Sequence, residues 1–385
     1  MARVEKIRLT DCHKAIRETA RQLDRTNVKI LSAMWKSGPR NLLEVSRRTG
    51  IPFTSVYHRV AKLEEKTNRV ATLVPQVAGL GLLRVAVLVV ANPGQEDRVT
   101  AALMLPDYCR SVNRCEGQFT HYSIHTIPFK HLKEFRNYVK RLEVLKLASK
   151  CSIIEMGEYI PNFPDFRYYN PSNNEWTFQW ATWLKGLRKK PTVTISDPSS
   201  YALIADKKDV LIVRELEKNA RKSFAELSPI LGISLQGVKY HYDKKLVASG
   251  IVKHFDFEVL PYPEDISARH VILLNFKNSM EMNRFYSLIP RLFFVGGVSK
   301  LLRRNTLLIR TYTPQSLVPG LFDFFSEMAR ERKVESYHAI RQVSVDRGVR
   351  TIPYELYTDE EGWSFELRGY LSELSKLARP ASIRR

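Results

Sequence analysis

Cysteine is scarce in this chain: four among 385 residues (Cys12, Cys109, Cys115 and Cys151), with no Cys-x-x-Cys pair. That excludes a disulfide-stapled scaffold and fits a reduced, cytoplasmic compartment. Long apolar runs are lacking too. The longest, LGLLRVAVLVVA at 80–91, contains Arg84 and falls short of the roughly 18 residues a membrane span needs. The opening MARVEKIRLTDCHKAIRETARQL holds no apolar signal core, so neither secretion nor a membrane partner is expected. No glycine-rich phosphate loop, His-Glu-x-x-His or Gly-x-Ser-x-Gly occurs. On motifs alone the chain therefore reads as no enzyme, with no metal and no cofactor. Acidic residues are outnumbered, 40 Asp and Glu against 61 Lys and Arg, for a net charge of +21. Such an excess points to a polyanion, with nucleic acid ahead of a membrane surface.

What is present is written twice. Hydrophobic residues make up 44% of the chain, enough for several cores. Asp24 precedes a helical apolar pattern at Val28, Leu31 and Trp35, as Asp206 precedes Val210, Val213 and Leu216. Asn41-x-x-Glu44 and Ser223-x-x-Glu226 both read as capping boxes. Gly50-Ile51 returns as Gly232-Ile233 and Val56 as Val238, and all these pairs lie 182 residues apart. Further on the spacing drifts, as loop insertions require. VAVLVVANPG is echoed by VILLNFKNSM, and EWTFQWATWLKGL by GWSFELRGYLSEL, which aligns Trp176 with Trp363 and Phe178 with Phe365. The repeat covers about 24–190 and 206–380, joined by the proline- and serine-bearing linker KKPTVTISDPSS at 189–200.

Each copy begins with three short helices. The second ends at a glycine suited to a tight turn, and in the first copy the third starts after Pro52, the helix-turn-helix pattern. NRVATLVPQV and GIVKHFDFEV are short and β-prone, as strands of a wing would be. The order that follows is β-α-β-β-α-β. In the first copy strands are expected at 82–91, 108–115, 118–127 and 151–159, and helices at 95–105 and 129–146. The second copy gives 269–277, 280–289, 291–299, 305–312, 315–332 and 336–345 in the same order. The fold class is α+β, a tandem repeat of a winged helix-turn-helix plus a ferredoxin-like βαββαβ domain. The divisions are 1–78 (N-terminal helix and first winged helix), 79–160 (first ferredoxin-like domain) and 161–204 (Trp-rich helix and linker). They continue as 205–262 (second winged helix), 263–348 (second ferredoxin-like domain) and 349–385 (Trp-x-Phe helix and basic tail).

The third helix is the reading element of such a motif. In the first copy it presents Thr54, Ser55, Tyr57, His58, Arg59 and Lys62, with Val56, Val60 and Leu63 inward. Arginine can hold guanine bidentately, serine and threonine reach bases or phosphates, and lysine mostly holds phosphate. The second copy presents Gln236, Lys239, Tyr240, His241, Lys244 and Lys245, where glutamine can read adenine. Arg47 and Arg48 either complement the end of the second helix or touch phosphate. Arg69 and Lys253, with His254, are wing contacts or surface charge. Cys115, His121 and His125 read as ordinary side chains, because the two histidines sit about 13 Å apart along one strand.

LLEVSRRTGIPFTSVYHRVAKLE, followed by VLVVANPGQEDRVTAALMLPDYCRSVNRCEGQFTHYSIHT, resembles the Lrp/AsnC family of prokaryotic transcription regulators. The resemblance implies a winged helix that reads double-stranded DNA and a ferredoxin-like domain that senses a small-molecule effector and forms dimers. Two such units in one chain imply a fused dimer of archaeal type acting on an imperfect palindrome, able to assemble further into homo-oligomers. Family members that bind amino acids carry an acid just after the glycine of the second sheet turn. Here Thr120 and His121 stand there, and GGVSKLLRRNTLLIR in the second copy has three basic residues and no such turn. Amino-acid sensing is therefore not expected. Siroheme decarboxylases share the architecture and supply the enzyme alternative. A sequence-nonspecific architectural DNA-binding protein is the third reading.

Overall fold

A computed structural model describes Glu18 and residues 22–67, 71–173, 175–177, 180–257, 262–263, 266–345 and 350–379. Cys12, Arg69 and Phe178 lie outside the described residues. The first three helices are α1 (Arg25–Ser37), α2 (Leu42–Thr49) and α3 (Phe53–Thr67), followed by β1 (Thr72–Pro75). Next come β2 (Leu82–Ala91), α4 (Glu96–Met104), β3 (Cys109–Glu116), β4 (His121–Pro128), α5 (Leu132–Val144) and β5 (Ala148–Pro161). An arm then carries β6 (Tyr169–Asn170), β7 (Glu175–Trp176) and α6 (Trp180–Gly186).

The second half repeats the order. Its helices are α7 (Lys207–Lys218), α8 (Phe224–Leu231) and α9 (Leu235–Tyr240), the last widening into a π turn over His241–Val247, before β8 (Val252–Asp256). Then follow β9 (Ser267–Asn275), α10 (Ser279–Leu288), β10 (Val295–Leu301), β11 (Thr306–Pro314), α11 (Val318–Arg330) and β12 (Ser336–Val345). The final arm holds β13 (Tyr357–Thr358), β14 (Gly362–Trp363) and α12 (Leu367–Ala378).

Each βαββαβ set forms an antiparallel sheet in the order β5-β2-β4-β3 or β12-β9-β11-β10. A lone four-stranded sheet would expose two edges of unpaired N–H and C=O groups. Here each edge finds the other sheet: β12 pairs with β3 (Arg341 opposite Glu116) and β5 with β10 (Ser299 opposite Tyr159), closing one barrel. Alternation along the strands separates two layers. Ala86, Leu88, Tyr122, Ile124, Val271 and Leu308 fill the barrel interior. The alternate residues, such as Val85, Val87, Ile272 and Leu274, face the helices outside. The fold is thus α+β, with a winged helix-turn-helix and a large antiparallel sheet.

Two expectations change. The wing strands do not form hairpins within their own units; β1 and β8 pair with each other, Val74 opposite His254. The winged helices accordingly touch. Arg40 lies 4.3 Å over the Phe224 ring and 4.7 Å over Tyr242, and Arg221 binds Glu64 at 2.5 Å. Second, Trp176 and Trp363 belong to short hairpins, and the helices start only afterwards, at Trp180 and Leu367.

The arms are exchanged between halves. Trp176 stacks on Phe293 with ring centroids 4.8 Å apart, and Trp183 donates to the Leu288 carbonyl at 3.3 Å, so the first arm packs on the second half. The second arm returns to the first half, where the Trp363 indole donates to the Leu80 carbonyl at 2.6 Å and the Tyr370 hydroxyl bonds Asp107 at 2.6 Å. The two tryptophans therefore serve as packing anchors, Trp363 buried and Trp176 half-buried against the opposite half.

Buried histidines make the fold acid-sensitive. His121 sits between the Thr100 and Thr120 hydroxyls, and His125 bonds Ser123 at 3.0 Å over the Phe135 ring. Burial, with Arg114 nearby, pushes His121 down to about 4; burial, with Arg350, pushes His125 down to about 3. The unfolded chain takes up protons below its ordinary value of 6.5 that the folded chain refuses. Stability is therefore whole above pH 6.5 and falls progressively towards pH 4, which melting curves across that range will register. A flat Tm would remove these histidines from the balance.

Candidate nucleic-acid interface

The reading helices are set by matched local devices. The Asn41 side chain accepts from the Glu44 N–H at 3.0 Å, but Glu44 turns to Arg48 (2.9 Å) instead of back to the cap, so only half of the capping box forms. Ser223 and Glu226 form both halves. Gly50 (φ 69°) and Gly232 (φ 64°) end α2 and α8 in the left-handed region, where a Cβ is strained. Behind each turn a serine ties the chain to the next helix: Ser46 to the Ile51 carbonyl at 2.6 Å and Ser228 to Ile233 at 2.5 Å.

Val56 and Val60 are buried in a small core with Ile30 and Val45, which turns the opposite face of α3 outward. Thr54, Ser55, Tyr57, His58 and Lys62 are all exposed there, Tyr57 at 50%. In the second half Val238 and Leu246 are buried, and Gln236, Lys239, Tyr240 and Lys244 are exposed. Arg47, its side chain 70% exposed, lies 4.0 Å from Glu44, which holds Arg48 more closely at 2.9 Å. Lys253 projects from the paired wing, whereas His254 faces Glu158 at 3.3 Å.

Three candidates are engaged elsewhere. Arg59 donates to Asp24 at 2.8 Å and to the Asn27 side chain at 2.9 Å, clamping α3 to the start of α1. His241 meets Asp209 at 2.6 Å, and Lys245 bridges Asp206 and Asp209, clamping the π turn to α7 in the same way. Burial raises Asp24, but the Asn27 backbone N–H and Arg59 outweigh it and hold the carboxyl below its usual range. Asp206 is lowered likewise, burial being overcome by Lys245 and the Asp209 N–H. Asp206, Asp209 and His241 bring ligand-type atoms within 4.8 Å of one another, but the Lys245 ammonium already bonds both carboxylates, and this is an ion-pair clamp. The signal was in the repeat: the spacing that pairs Asp24 with Asp206 also pairs Asn27 with Asp209 and Arg59 with His241. Arg59→Ala should cost about 1 kcal/mol, as a half-exposed ion pair does, with α3 loosened. Denaturant titration checks it; an unchanged midpoint would free Arg59 from this role.

A family model described as winged helix-turn-helix DNA-binding matches residues 206–253. No curated protein matches the sequence. Among solved structures, the siroheme decarboxylase NirDL aligns over 92% of this chain and 100% of its own, at 11% identity and TM-score 0.56. The same enzyme in co-complex with an iron-uroporphyrin III analogue gives the same coverage and identity, with a TM-score of 0.57. An AsnC family transcriptional regulator from Agrobacterium tumefaciens covers 34% of this chain and 89% of its own, at 17% identity and TM-score 0.29. These matches correct one expectation. The missing motifs predict no enzyme, yet two structures that align over 92% of the chain are those of a decarboxylase, so absent motifs do not exclude catalysis on this fold. The chain contains a winged helix of DNA-binding type within an architecture similar to that of siroheme decarboxylase NirDL.

Proposed function

We propose that the protein is a DNA-binding transcription regulator of Lrp/AsnC type, a duplicated chain whose two halves act as a pseudo-dimer on an imperfect palindrome. One observation carries this reading. In both halves the outward face of the third helix is polar and basic, with Thr54, Ser55, His58 and Lys62 on one and Gln236, Lys239 and Lys244 on the other. The net charge of +21 supplies the long-range attraction to phosphate. Arg59, His241 and Lys245 hold the readers in place, and the remaining exposed residues make the contacts. Because the two sets differ, the half-sites differ.

The salt dependence of binding tests the interface. Lys62→Ala together with Lys244→Ala should lower the slope of log K against log salt by about two, and weaken all duplexes alike. Fluorescence anisotropy on a labelled duplex reads it; an unchanged slope removes both lysines from the interface. A second reading follows from the full-length likeness to NirDL: a siroheme-decarboxylase-like enzyme. Titration with an iron-uroporphyrin III analogue, followed by its absorbance, separates the two. Saturable binding in a protein that ignores DNA would favour the enzyme.

A further inference from the structure

The two halves differ where a helix crosses the outer face of the sheet. In the second half a half-open cleft of about 260 Å³ lies between α11 and the strands β9 and β12. Phe322 and Val318 wall it, His270 lies at its floor, and Arg341, Gln315 and Glu116 stand at its mouth. His270 is only 3% exposed, its ring meets Phe322 edge-on at 5.4 Å, and its Nδ1 has no hydrogen-bond partner. Thr311 sits directly across the β9–β11 ladder from His270, and Thr313 across from Ala268; both are buried with unpartnered hydroxyls. Buried polar atoms normally find partners; of these three groups His270 lines the cleft, so its Nδ1 marks a place where a ligand or ordered water belongs. At the mouth Arg341 meets Glu116 and Gln315 only at 3.4 Å, which leaves the guanidinium donors to spare.

The matching place in the first half is lined differently. Ile153 lies opposite Val87 as Ala339 lies opposite Ile272, which puts Val85 in the position of His270 and Glu155 in that of Arg341. Glu155 is bound by Arg136 and, at 2.6 Å, by Arg303. Tyr201 of the linker stacks on Phe129 with centroids 4.5 Å apart. In this half the floor sets Val85 beside His125, whose ring packs on Phe135, and at the mouth the ion-paired Glu155 stands where Arg341 would receive a carboxylate.

We infer that the second-half cleft binds one small, flat organic acid per chain, its carboxylate on Arg341, its ring against Phe322 and a hydroxyl or keto substituent on His270 Nδ1. The volume suits such a molecule and is too small to enclose a tetrapyrrole. Burial and the nearby Arg341 push His270 down to about 4, so at neutral pH the floor offers an uncharged imidazole to an uncharged substituent. Arg341 also lies on the β12–β3 seam, opposite Glu116, so the acid would act where the two halves join. That binding tunes DNA affinity rests on the regulator reading; the binding itself does not.

Isothermal titration of the full chain with 4-hydroxybenzoate tests the site. Saturable one-to-one binding with a Kd at or below about 1 mM is expected. Arg341→Gln, at the solvent-exposed mouth, and His270→Val, which copies the first half, should each weaken it at least about tenfold, a loss of one substantial contact. The neutral 4-hydroxybenzyl alcohol should bind far more weakly. No saturable binding to wild type, or equal binding by both variants, would overturn the assignment. Repeating the titration with a DNA duplex present separates the two claims: acid binding without any effect on DNA leaves the cleft standing and removes its regulatory role.

Discussion

Trp363→Ala should be among the most destabilising single substitutions in this protein, costing about 3–5 kcal/mol. The side chain is 2% exposed, packs edge-on to Tyr108 and Tyr357, and donates to the Leu80 carbonyl. Removing it opens a cavity, leaves that carbonyl without its donor, and releases the arm that carries Tyr370 onto Asp107. Trp363→Phe keeps most of the ring and loses only the hydrogen bond, so it should fall between wild type and alanine. Urea denaturation ranks the three. A Trp363→Ala midpoint within error of wild type would mean that the second arm is not anchored on the first half.

The largest effect on recognition is expected at Gln236. It stands exposed on the second turn-following helix, one residue past the start of α9, where a glutamine amide can meet adenine N6 and N7 together. Gln236→Ala should lose about 1–3 kcal/mol on the preferred duplex and relax choice at one position of one half-site, leaving the other unchanged. Selection with the variant reads this directly. Identical base preferences in variant and wild type would remove Gln236 from the readers.

Much of the architecture was legible because it rests on local chemistry. The short apolar run at 82–91 and the 3.6-residue rhythm of Leu132, Phe135, Val139 and Leu142 locate strand and helix within a few residues of β2 and α5. The glycines at 50 and 232 announce their turns because few other residues tolerate that backbone. Gly117 turns with φ 102° between β3 and β4; at the corresponding turn Arg303 adopts φ 59° without a glycine, which no sequence rule anticipates. The pairing of β1 with β8, the closure of the barrel and the exchange of arms are contacts between residues more than 100 positions apart, and periodicity carries no information about them. The site was legible as a face and not as a set of roles. Helical spacing identified which residues of α3 and α9 turn outward, but not that Arg59, His241 and Lys245 bend back onto the caps of α1 and α7. The cleft was missed because His270 and Arg341 read as ordinary strand residues until the β9–β12 ladder sets them side by side.

The central claim, two unequal readers on one DNA-binding chain, is tested most directly by sequencing the duplexes bound from a random library. The account predicts enrichment of two dissimilar half-sites at a fixed separation, one of which changes in Gln236→Ala. Tight binding with no enriched motif, or no binding at moderate salt, would contradict it.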